Sequence, residues 1–142
     1  MASRESLDLV YMQTALLHAS LSKATRAKVG SCLVTKQGVC LTGYNGNYSG
    51  GSNVCEDEHG MTKPTVIHSE LNCVLRAAKE GISVLDSTLY VTMSPCQSCA
   101  SMLIQAGIQR VVYLQQYRCS EGLDLLRKAG IIIDKMKLES VS

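Results

Sequence analysis

The first apolar pattern in the chain has helical spacing. Ser3 precedes it as a candidate N-cap, and the recurring positions are Leu7, Val10, Tyr11, Thr14, Leu17 and Leu21. This spacing predicts an amphipathic helix over about residues 4–21. Two short β-type segments follow at 31–35 and 39–44, and Lys36-Gln37-Gly38 between them predicts a hairpin turn.

After the hairpin comes a glycine-rich stretch, 45–66, that predicts a long functional loop. A second helix is predicted over 68–79, where Leu71, Val74, Leu75 and Ala78 form an apolar stripe and Gly81 ends the helix. The remaining pattern predicts a strand at 88–93, a helix from 95 to Gly107, a strand at 110–114, a helix at 121–129 before Gly130 and a strand at 131–133.

A hairpin followed by alternating helices and strands predicts an α/β fold. We expect a single domain over 1–142, with a mixed five-stranded sheet and helices on both faces. In such sheets, binding sites form where helix N-termini meet the carboxyl ends of strands. The chain has 142 residues, 46% of them apolar, which is enough for one substantial core.

The composition excludes several classes of protein. Residues 1–9 include Arg4, Glu5 and Asp8 where a signal peptide needs an apolar stretch, and Pro95 with several polar residues interrupts the uncharged stretch 87–109. We therefore expect a soluble cytoplasmic protein with no membrane span. The net charge of +2 and the absence of Phe and Trp argue against binding to nucleic acid strands.

Seven cysteines without an export signal favour metal ligands and buried thiols over a disulfide framework. Cys96 and Cys99 stand at the predicted start of the third helix, and His68 stands at the start of the second. The positive end of the helix dipole favours the thiolates that bind Zn²⁺. Three such ligands leave a fourth position open for water, which is typical of a catalytic zinc site.

Glu70 is the candidate general base, two residues after His68. By itself, Cys-x-x-Cys is also compatible with half of a structural zinc site or with a redox pair. A closed structural zinc site needs a fourth ligand nearby, and a redox pair leaves His68-Ser69-Glu70 unexplained. Together with Pro95-Cys96-Gln97-Ser98-Cys99, this segment matches the His-x-Glu and Pro-Cys-x-x-Cys signature of zinc deaminases.

These motifs resemble the cytidine deaminase superfamily and, within it, the deoxycytidylate (dCMP) deaminases. The resemblance covers about residues 28–130, and the segments that carry it are Lys28-Val29-Gly30, Gly43-Tyr44-Asn45-Gly46, residues 68–72, residues 90–100 and Gln105-Ala106-Gly107-Ile108. It implies a three-layer α-β-α cytidine-deaminase-like fold. One departure is Ser69, where the family usually has Ala; this adds a hydroxyl beside the metal site and removes no ligand.

The resemblance also implies roles for individual residues. Asn45 is expected to hydrogen-bond the sugar or base of the nucleotide, and Arg26 or Lys28 to meet the 5′-phosphate, although either cation also fits a solvated turn. Tyr117 matches a position near the pyrimidine, but a tyrosine here can equally cap the core. Family members are commonly hexamers activated by dCTP and inhibited by dTTP, through a loop that corresponds here to Tyr44, Asn45, Gly46 and Gly50.

The other cysteines and histidines need separate interpretations. Cys55 and His59 resemble a second, structural zinc site of some relatives, and such an ion is a further expectation. Cys32, Cys40 and Cys73 are expected to be buried thiols, while Cys119 falls in a loop. His18 is expected to be packed or interfacial.

Three hypotheses follow. The first is hydrolytic deamination of dCMP to dUMP in the pathway to dTMP, with Glu70 moving protons. The second is deamination of another cytosine nucleotide, or of a base in tRNA or single-stranded DNA, which requires a basic groove with stacking aromatics. The third is a non-catalytic zinc-binding module, which does not explain the presence of Glu70 beside the ligands.

Overall fold

A computed structural model of the protein describes residues 2–138, so Met1 and residues 139–142 of the predicted domain lie outside the described residues. The helices are α1 Arg4–Ala19, α2 Ser69–Glu80, α3 Gln97–Ala106 and α4 Glu121–Lys128. The strands are β1 Gly30–Val34, β2 Cys40–Tyr44, β3 Gly46–Asn47, β4 Val66–Ile67, β5 Thr88–Met93, β6 Arg110–Gln115 and β7 Ile132–Lys135.

The main sheet has five strands in the order β2-β1-β5-β6-β7. β1 pairs antiparallel with β2 and β5, whereas β5, β6 and β7 run parallel, so the predicted mixed sheet is confirmed. The predicted loop 45–66 contains more structure than expected. β3 and β4 form a separate two-stranded sheet, and Glu56 pairs with Thr62 in an isolated bridge.

Helices cover both faces of the sheet, as predicted. Met12 and Ala15 of α1 pack against Cys32, Tyr90 and Val112 on one face. The other three helices share a larger core on the opposite face, whose buried members include Leu33, Leu89, Val91, Leu103, Val111, Leu123 and Leu126. The three layers place the N-termini of α2 and α3 on the same side of the sheet.

The apolar stripe that predicts α1 does not coincide with the buried face of that helix. Leu17 is 71% exposed and Val10 is 54% exposed, whereas the buried positions are Asp8, Met12, Ala15 and Ala19. The reason is the close approach of β1. A Cβ added to Gly30 would lie 1.9 Å from the carbonyl oxygen of Ala15, so small residues must face the sheet here.

The same difference occurs in α2. Leu75 of the predicted stripe is 52% exposed, and the buried positions are Ser69, Glu70, Cys73 and Ala77. A Cβ added to Gly43 of β2 would lie 2.6 Å from the carbonyl oxygen of Ser69. The strand therefore meets the first turn of α2 almost backbone to backbone, and the face that carries Glu70 turns inward.

A buried ionic network ties α1 to the sheet. Arg110 donates from Nη1 and Nη2 to the two carboxylate oxygens of Asp8, each at 2.8 Å, and from Nε to Asp134 at 2.8 Å. The Tyr90 hydroxyl donates to Asp8 Oδ1 at 2.6 Å. The hydrogen bonds from Arg110 lower the pKa of Asp8 below its usual value, because they favour the charged form.

We expect Asp8→Asn to lower the free energy of unfolding by about 3 kcal/mol at pH 7, since it leaves a buried guanidinium with half of its charge partners. A lowered pKa in the folded state gives stability that is present above the unfolded pKa of 3.8 and is lost as the pH falls through the folded value. The difference between the two proteins should therefore shrink below about pH 4. Denaturant unfolding at pH 7 and pH 3 measures both effects.

The matched control is Asp124→Asn, because Asp124 is 64% exposed and contacts Arg127 at 3.4 Å on the surface of α4. It should change stability by no more than about 0.5 kcal/mol. Equal losses in the two variants would show that the Asp8 network adds nothing beyond a surface ion pair.

Candidate active site

The first part of the site is the start of α2. His68 is the N-cap residue, with extended backbone angles of φ −67° and ψ 152°, and the helix begins at Ser69. The His68 side chain is 43% exposed, whereas that of Glu70 in the first turn is 4% exposed. The imidazole thus faces an opening, and the carboxylate lies beneath it between helix and sheet.

The second part is the start of α3. Cys96 is the N-cap residue, and Cys99 follows in the first turn. His68 Nδ1 lies 3.2 Å from Cys99 Sγ and 3.6 Å from Cys96 Sγ. These three ligand atoms lie within 4.8 Å of one another, and they form the one group of three or more potential metal ligands found in residues 2–138.

This group fits a zinc ion. Bond lengths of about 2.0 Å for Zn–N and about 2.3 Å for Zn–S give a nitrogen-to-sulfur separation of about 3.5 Å in a tetrahedral site. The observed separations of 3.2 and 3.6 Å are close to this value. His68, Cys96 and Cys99 supply three donors of the types that zinc prefers, which is the number of protein ligands typical of a catalytic zinc site.

The charges of the three ligands suit a cation. Hydrogen bonds from Cys99 and then His68 lower the pKa of Cys96 to about 3, so its thiolate forms readily. Because Cys96 takes that charge, its hydrogen bond to Cys99 raises the pKa of Cys99. The contact with Cys96 likewise raises the pKa of His68. A dication that replaces these shared protons satisfies all three side chains at once.

Glu70 lies beside the ligands. Its Oε1 is 3.8 Å from His68 Nδ1. Burial raises the pKa of Glu70 to about 7, because the ionised carboxylate is removed from water. A carboxyl group with such a pKa can both accept and release a proton near neutral pH, which is the property of a general acid–base.

The Ser69 hydroxyl has a structural partner. Its Oγ lies 2.6 Å from Ser31 Oγ of β1, and both residues are fully buried. The extra hydroxyl that the sequence places beside the metal site is therefore paired with the sheet.

A cavity of about 390 Å³ opens above the ligands. Its lining includes His68, Glu70 and Cys96 together with Arg26, Val29, Asn45, Met61, Val66, Met93, Tyr117 and Arg118. The volume lies within the range of small-molecule sites, and apolar walls with a few polar groups are typical of them.

The predicted substrate-binding residues are placed differently from one another. Arg26, Asn45 and Tyr117 line the cavity, whereas Lys28 is exposed and is absent from the lining. The side-chain amide of Asn45 makes two hydrogen bonds to the backbone. Its Oδ1 accepts from Val29 N at 2.9 Å, and its Nδ2 donates to Ala27 O at 2.8 Å. One amide hydrogen and one oxygen lone pair remain for other partners.

Comparisons with known proteins agree with this geometry. Residues 5–115 match the family model for the cytidine and deoxycytidylate deaminase zinc-binding region. The chain belongs to this deaminase family.

Two curated relatives are deoxycytidylate deaminases. The enzyme of Saccharomyces cerevisiae is 34% identical over 140 residues, and the match covers 92% of this chain and 45% of that enzyme. The mouse enzyme is 34% identical over 138 residues, covering 88% of this chain and 76% of its own length. The chain thus spans less than half of the yeast relative.

A solved structure is also similar over nearly the whole chain. It is the dCMP deaminase of the cyanophage S-TIM5 in complex with dCMP and dUMP, with a TM-score of 0.90 and 39% identity. The match covers 95% of this chain and all of the phage chain. The cytidine-deaminase-like fold is therefore confirmed.

Arg118 is a cavity residue that the sequence pattern does not predict. It lines the same cavity as Arg26, and its guanidinium carbon lies 5.8 Å from the centre of the Tyr117 ring. The signal available in the sequence was its position next to Tyr117. Nothing in the sequence shows, however, that the segment after β6 turns back over the ends of α2 and α3.

A second cavity of about 240 Å³ adjoins residues 44–46. It is lined by Tyr44, Asn45 and Gly46 of the Gly-Tyr-Asn-Gly segment, by Gly50 of the following loop and by Lys23. Asn45 thus borders both cavities.

The second zinc site gains no support in residues 2–138. Cys55 is buried, with its thiol 3.8 Å from Asn53 O, whereas the His59 side chain is 79% exposed and lies 3.5 Å from Glu58. Neither belongs to a described group of three ligands. The ion remains a prediction.

The outcomes differ for the other cysteines. Cys32 and Cys73 are buried as predicted, but Cys40 is exposed, because β2 is the edge strand of the sheet. The expectation that Cys40 is a buried thiol is wrong. His18 is partly buried, with Nδ1 3.0 Å from Thr14 O, and Cys119 is half-buried.

Gly122 of α4 allows the metal-ligand loop to sit where it does. A Cβ at this position would lie 2.1 Å from Pro95 O and 2.9 Å from the carbonyl carbon of Cys96. The helix therefore supports the backbone of a zinc ligand directly. A side chain here must displace either α4 or Cys96.

We expect Gly122→Ala to weaken zinc binding at least about 10-fold, in the range found when the supporting contacts of metal ligands are lost. It should also destabilise the fold, although Ala in a helix normally adds about 1 kcal/mol relative to Gly. Competition with a zinc chelator and denaturant unfolding measure the two effects. Lys128→Ala, at an exposed position of the same helix, is the control and should change neither. A higher free energy of unfolding with unchanged zinc affinity would contradict the supporting role of Gly122.

Proposed function

We propose that this protein catalyses the hydrolysis of dCMP to dUMP and ammonia. The observation that carries the proposal is a buried carboxyl group, Glu70, beside a His-Cys-Cys ligand group at the base of a cavity that also contains arginines. The deoxycytidylate deaminases among its relatives support this substrate, and so does the phage structure with dCMP and dUMP. The reaction supplies dUMP as a precursor of dTMP.

The residues divide the chemistry between them. Zinc held by His68, Cys96 and Cys99 would activate the attacking water by lowering its pKa. Glu70 accepts a proton from this water as the oxygen adds to C4 of the cytosine. The carboxyl group delivers this proton to N3, takes a second proton from the hydroxyl group now on C4 and passes it to the amino group as the C4–N bond breaks, so that water is consumed and ammonia leaves. Burial keeps Glu70 able to hold and release a proton in each of the two transfers.

The rest of the cavity supplies recognition of the nucleotide. Arg26 and Arg118 line it and suit the 5′-phosphate, because guanidinium groups bind phosphate oxygens in pairs. Lys28 remains the alternative to Arg26 for the phosphate, and it also fits a solvated turn. Tyr117 is held by a 2.6 Å hydrogen bond from its backbone N to Ser94 Oγ, and its ring suits stacking on the pyrimidine. The remaining amide hydrogen and oxygen lone pair of Asn45 suit hydrogen bonds to the sugar or base.

We further propose that the second cavity binds the effectors dCTP, as activator, and dTTP, as inhibitor. Its lining by Gly46, Gly50 and Gly51 favours close approach of phosphate oxygens to backbone N–H groups. Lys23 lies at the same cavity and suits a triphosphate. Because Asn45 lines both cavities, a ligand in one cavity can directly affect binding in the other.

Assembly into a homo-oligomer, and specifically a hexamer, is also part of the proposal. The exposed apolar residues of α1 and α2 support it, since Leu17 is 71% exposed and Leu75 is 52% exposed.

None of the helices within residues 2–138 has the length and apolarity to cross a membrane. The cytoplasmic location remains a prediction.

The proposed reaction is tested by ammonia release from dCMP, CMP, dCTP, deoxycytidine and a cytosine-containing oligonucleotide. We expect kcat/KM to be highest for dCMP and at least about 100-fold lower for deoxycytidine, which lacks the phosphate that the arginines bind. The oligonucleotide should neither react nor compete at low salt. Faster turnover of the oligonucleotide would favour the nucleic acid deaminase hypothesis.

Glu70→Gln tests the proposed proton transfers. It keeps the shape of the side chain but cannot carry the proton, so turnover should fall at least about 100-fold while zinc content is retained. Full turnover in this variant would contradict the mechanism. Zinc binding without ammonia release from any compound would instead support the non-catalytic module.

Regulation is tested by the response of dCMP turnover to each effector. We expect dCTP to increase and dTTP to decrease turnover at low dCMP, and Lys23→Ala to weaken both responses at least about 5-fold. Lys79→Ala, at an exposed position of α2, serves as the control and should respond as the unaltered protein does. Identical effector responses in both variants would remove Lys23 and its cavity from the proposed regulatory site.

A further inference from the structure

Two cysteines outside the active site meet on the β1–β2 hairpin. Cys32 pairs with Thr42 and Val34 pairs with Cys40, so the two cysteines are diagonal neighbours on one face of the sheet. Their sulfur atoms are 2.8 Å apart. A disulfide bond of about 2.05 Å therefore requires only a small further approach.

The two thiols differ in accessibility. Cys32 is fully buried in the cluster under α1, beside Met12 and Ala15. Cys40 is exposed, because it lies on the edge strand. A dissolved oxidant can consequently reach Cys40 first, while Cys32 is available only to its neighbour.

The chemistry of the pair follows the same order. A hydrogen bond from the Cys32 thiol lowers the pKa of Cys40 to about 7, and the same contact raises the pKa of Cys32. The exposed sulfur is thus the thiolate, which is the reactive form. Cys73 is separate, since its thiol donates to Leu41 O at 3.6 Å on the other face.

We propose that Cys32 and Cys40 form a redox-active pair, which a peroxide converts into a disulfide that joins edge strand β2 to β1. In the first step, the Cys40 thiolate attacks one oxygen of hydrogen peroxide and the O–O bond breaks. Cys40 becomes a sulfenic acid, and the released hydroxide takes up a proton to become water.

In the second step, the Cys32 sulfur attacks the Cys40 sulfur and the S–O bond breaks. The leaving hydroxide takes the Cys32 proton and departs as a second water molecule. Two thiols and one peroxide thus give one disulfide and two waters, so that sulfur is oxidised and oxygen is reduced. A small thiol reverses the reaction by disulfide exchange.

The bond would stabilise the hairpin without entering the active site. Cys40 lies at the start of β2, whereas Tyr44 at its other end precedes Asn45 and the two cavities. Linking residues 32 and 40 closes a short loop, which corresponds to a rise in Tm of about 9 °C. Turnover of dCMP is expected to stay within about twofold of the reduced protein.

The test treats the zinc-loaded protein with one equivalent of hydrogen peroxide and maps the cysteines by tryptic digestion. Cleavage after Lys36 separates Cys32 from Cys40, and the Cys40 peptide runs to Arg76 because Lys63 precedes Pro64. Fragment ions must then distinguish Cys40 from Cys55 and Cys73. We expect a Cys32–Cys40 link that has lost two hydrogens, that disappears with dithiothreitol, and that accompanies the rise in Tm.

Cys40→Ser should abolish both the link and the change in Tm, whereas Cys119→Ser, at a half-buried cysteine elsewhere, should retain both. Three results would overturn the proposal: Cys40 recovered as a sulfinic acid or a mixed disulfide, Cys32 linked to a different cysteine, or an equal rise in Tm in Cys40→Ser. None of these measurements depends on deaminase activity, so their failure is distinct from failure of the proposed reaction.

Discussion

The burial of the Glu70 carboxylate is the constraint on which the site depends. Its side chain is 4% exposed, so its charged form is stabilised by the neighbouring His68 imidazole and Cys99 thiol and not by bulk solvent. That burial is possible because the first turn of α2 lies directly on β2. A helix with a conventional apolar face toward the sheet would place Glu70 in solvent, where its pKa would be that of an ordinary carboxyl group.

Close backbone contacts impose this geometry on both helices of the site. Gly43 brings β2 against the carbonyl of Ser69, and Gly122 brings α4 against the carbonyl groups of Pro95 and Cys96. One contact fixes the helix that carries His68, and the other fixes the loop that carries Cys96. The positions of His68 and Cys96 therefore depend on two residues without side chains, which act through backbone contacts.

The order of the main elements and the His-Cys-Cys-Glu group can be predicted from the sequence, because both depend on short-range patterns. The sequence does not predict which face of α1 or α2 is buried. Leu17 and Leu75 dominate the apolar pattern yet remain exposed, while small or polar residues such as Ala15 and Ser69 face the sheet. Arg118 and the β3–β4 pair were missed for a related reason, since both depend on how distant segments fold back over the site.

Asn45 connects the two cavities through the backbone of residues 22–29. Its carbonyl oxygen accepts from Ser22 Oγ at 2.8 Å, and its side-chain amide bonds Val29 N and Ala27 O on either side of Lys28. This clamp shapes the segment that carries Arg26 into the catalytic cavity. A ligand in the second cavity that favours one position of Asn45 therefore also acts on the segment that carries Arg26. In the proposed regulation, two effectors with opposite preferences would change the affinity for dCMP, the proposed substrate, in opposite directions without touching Glu70.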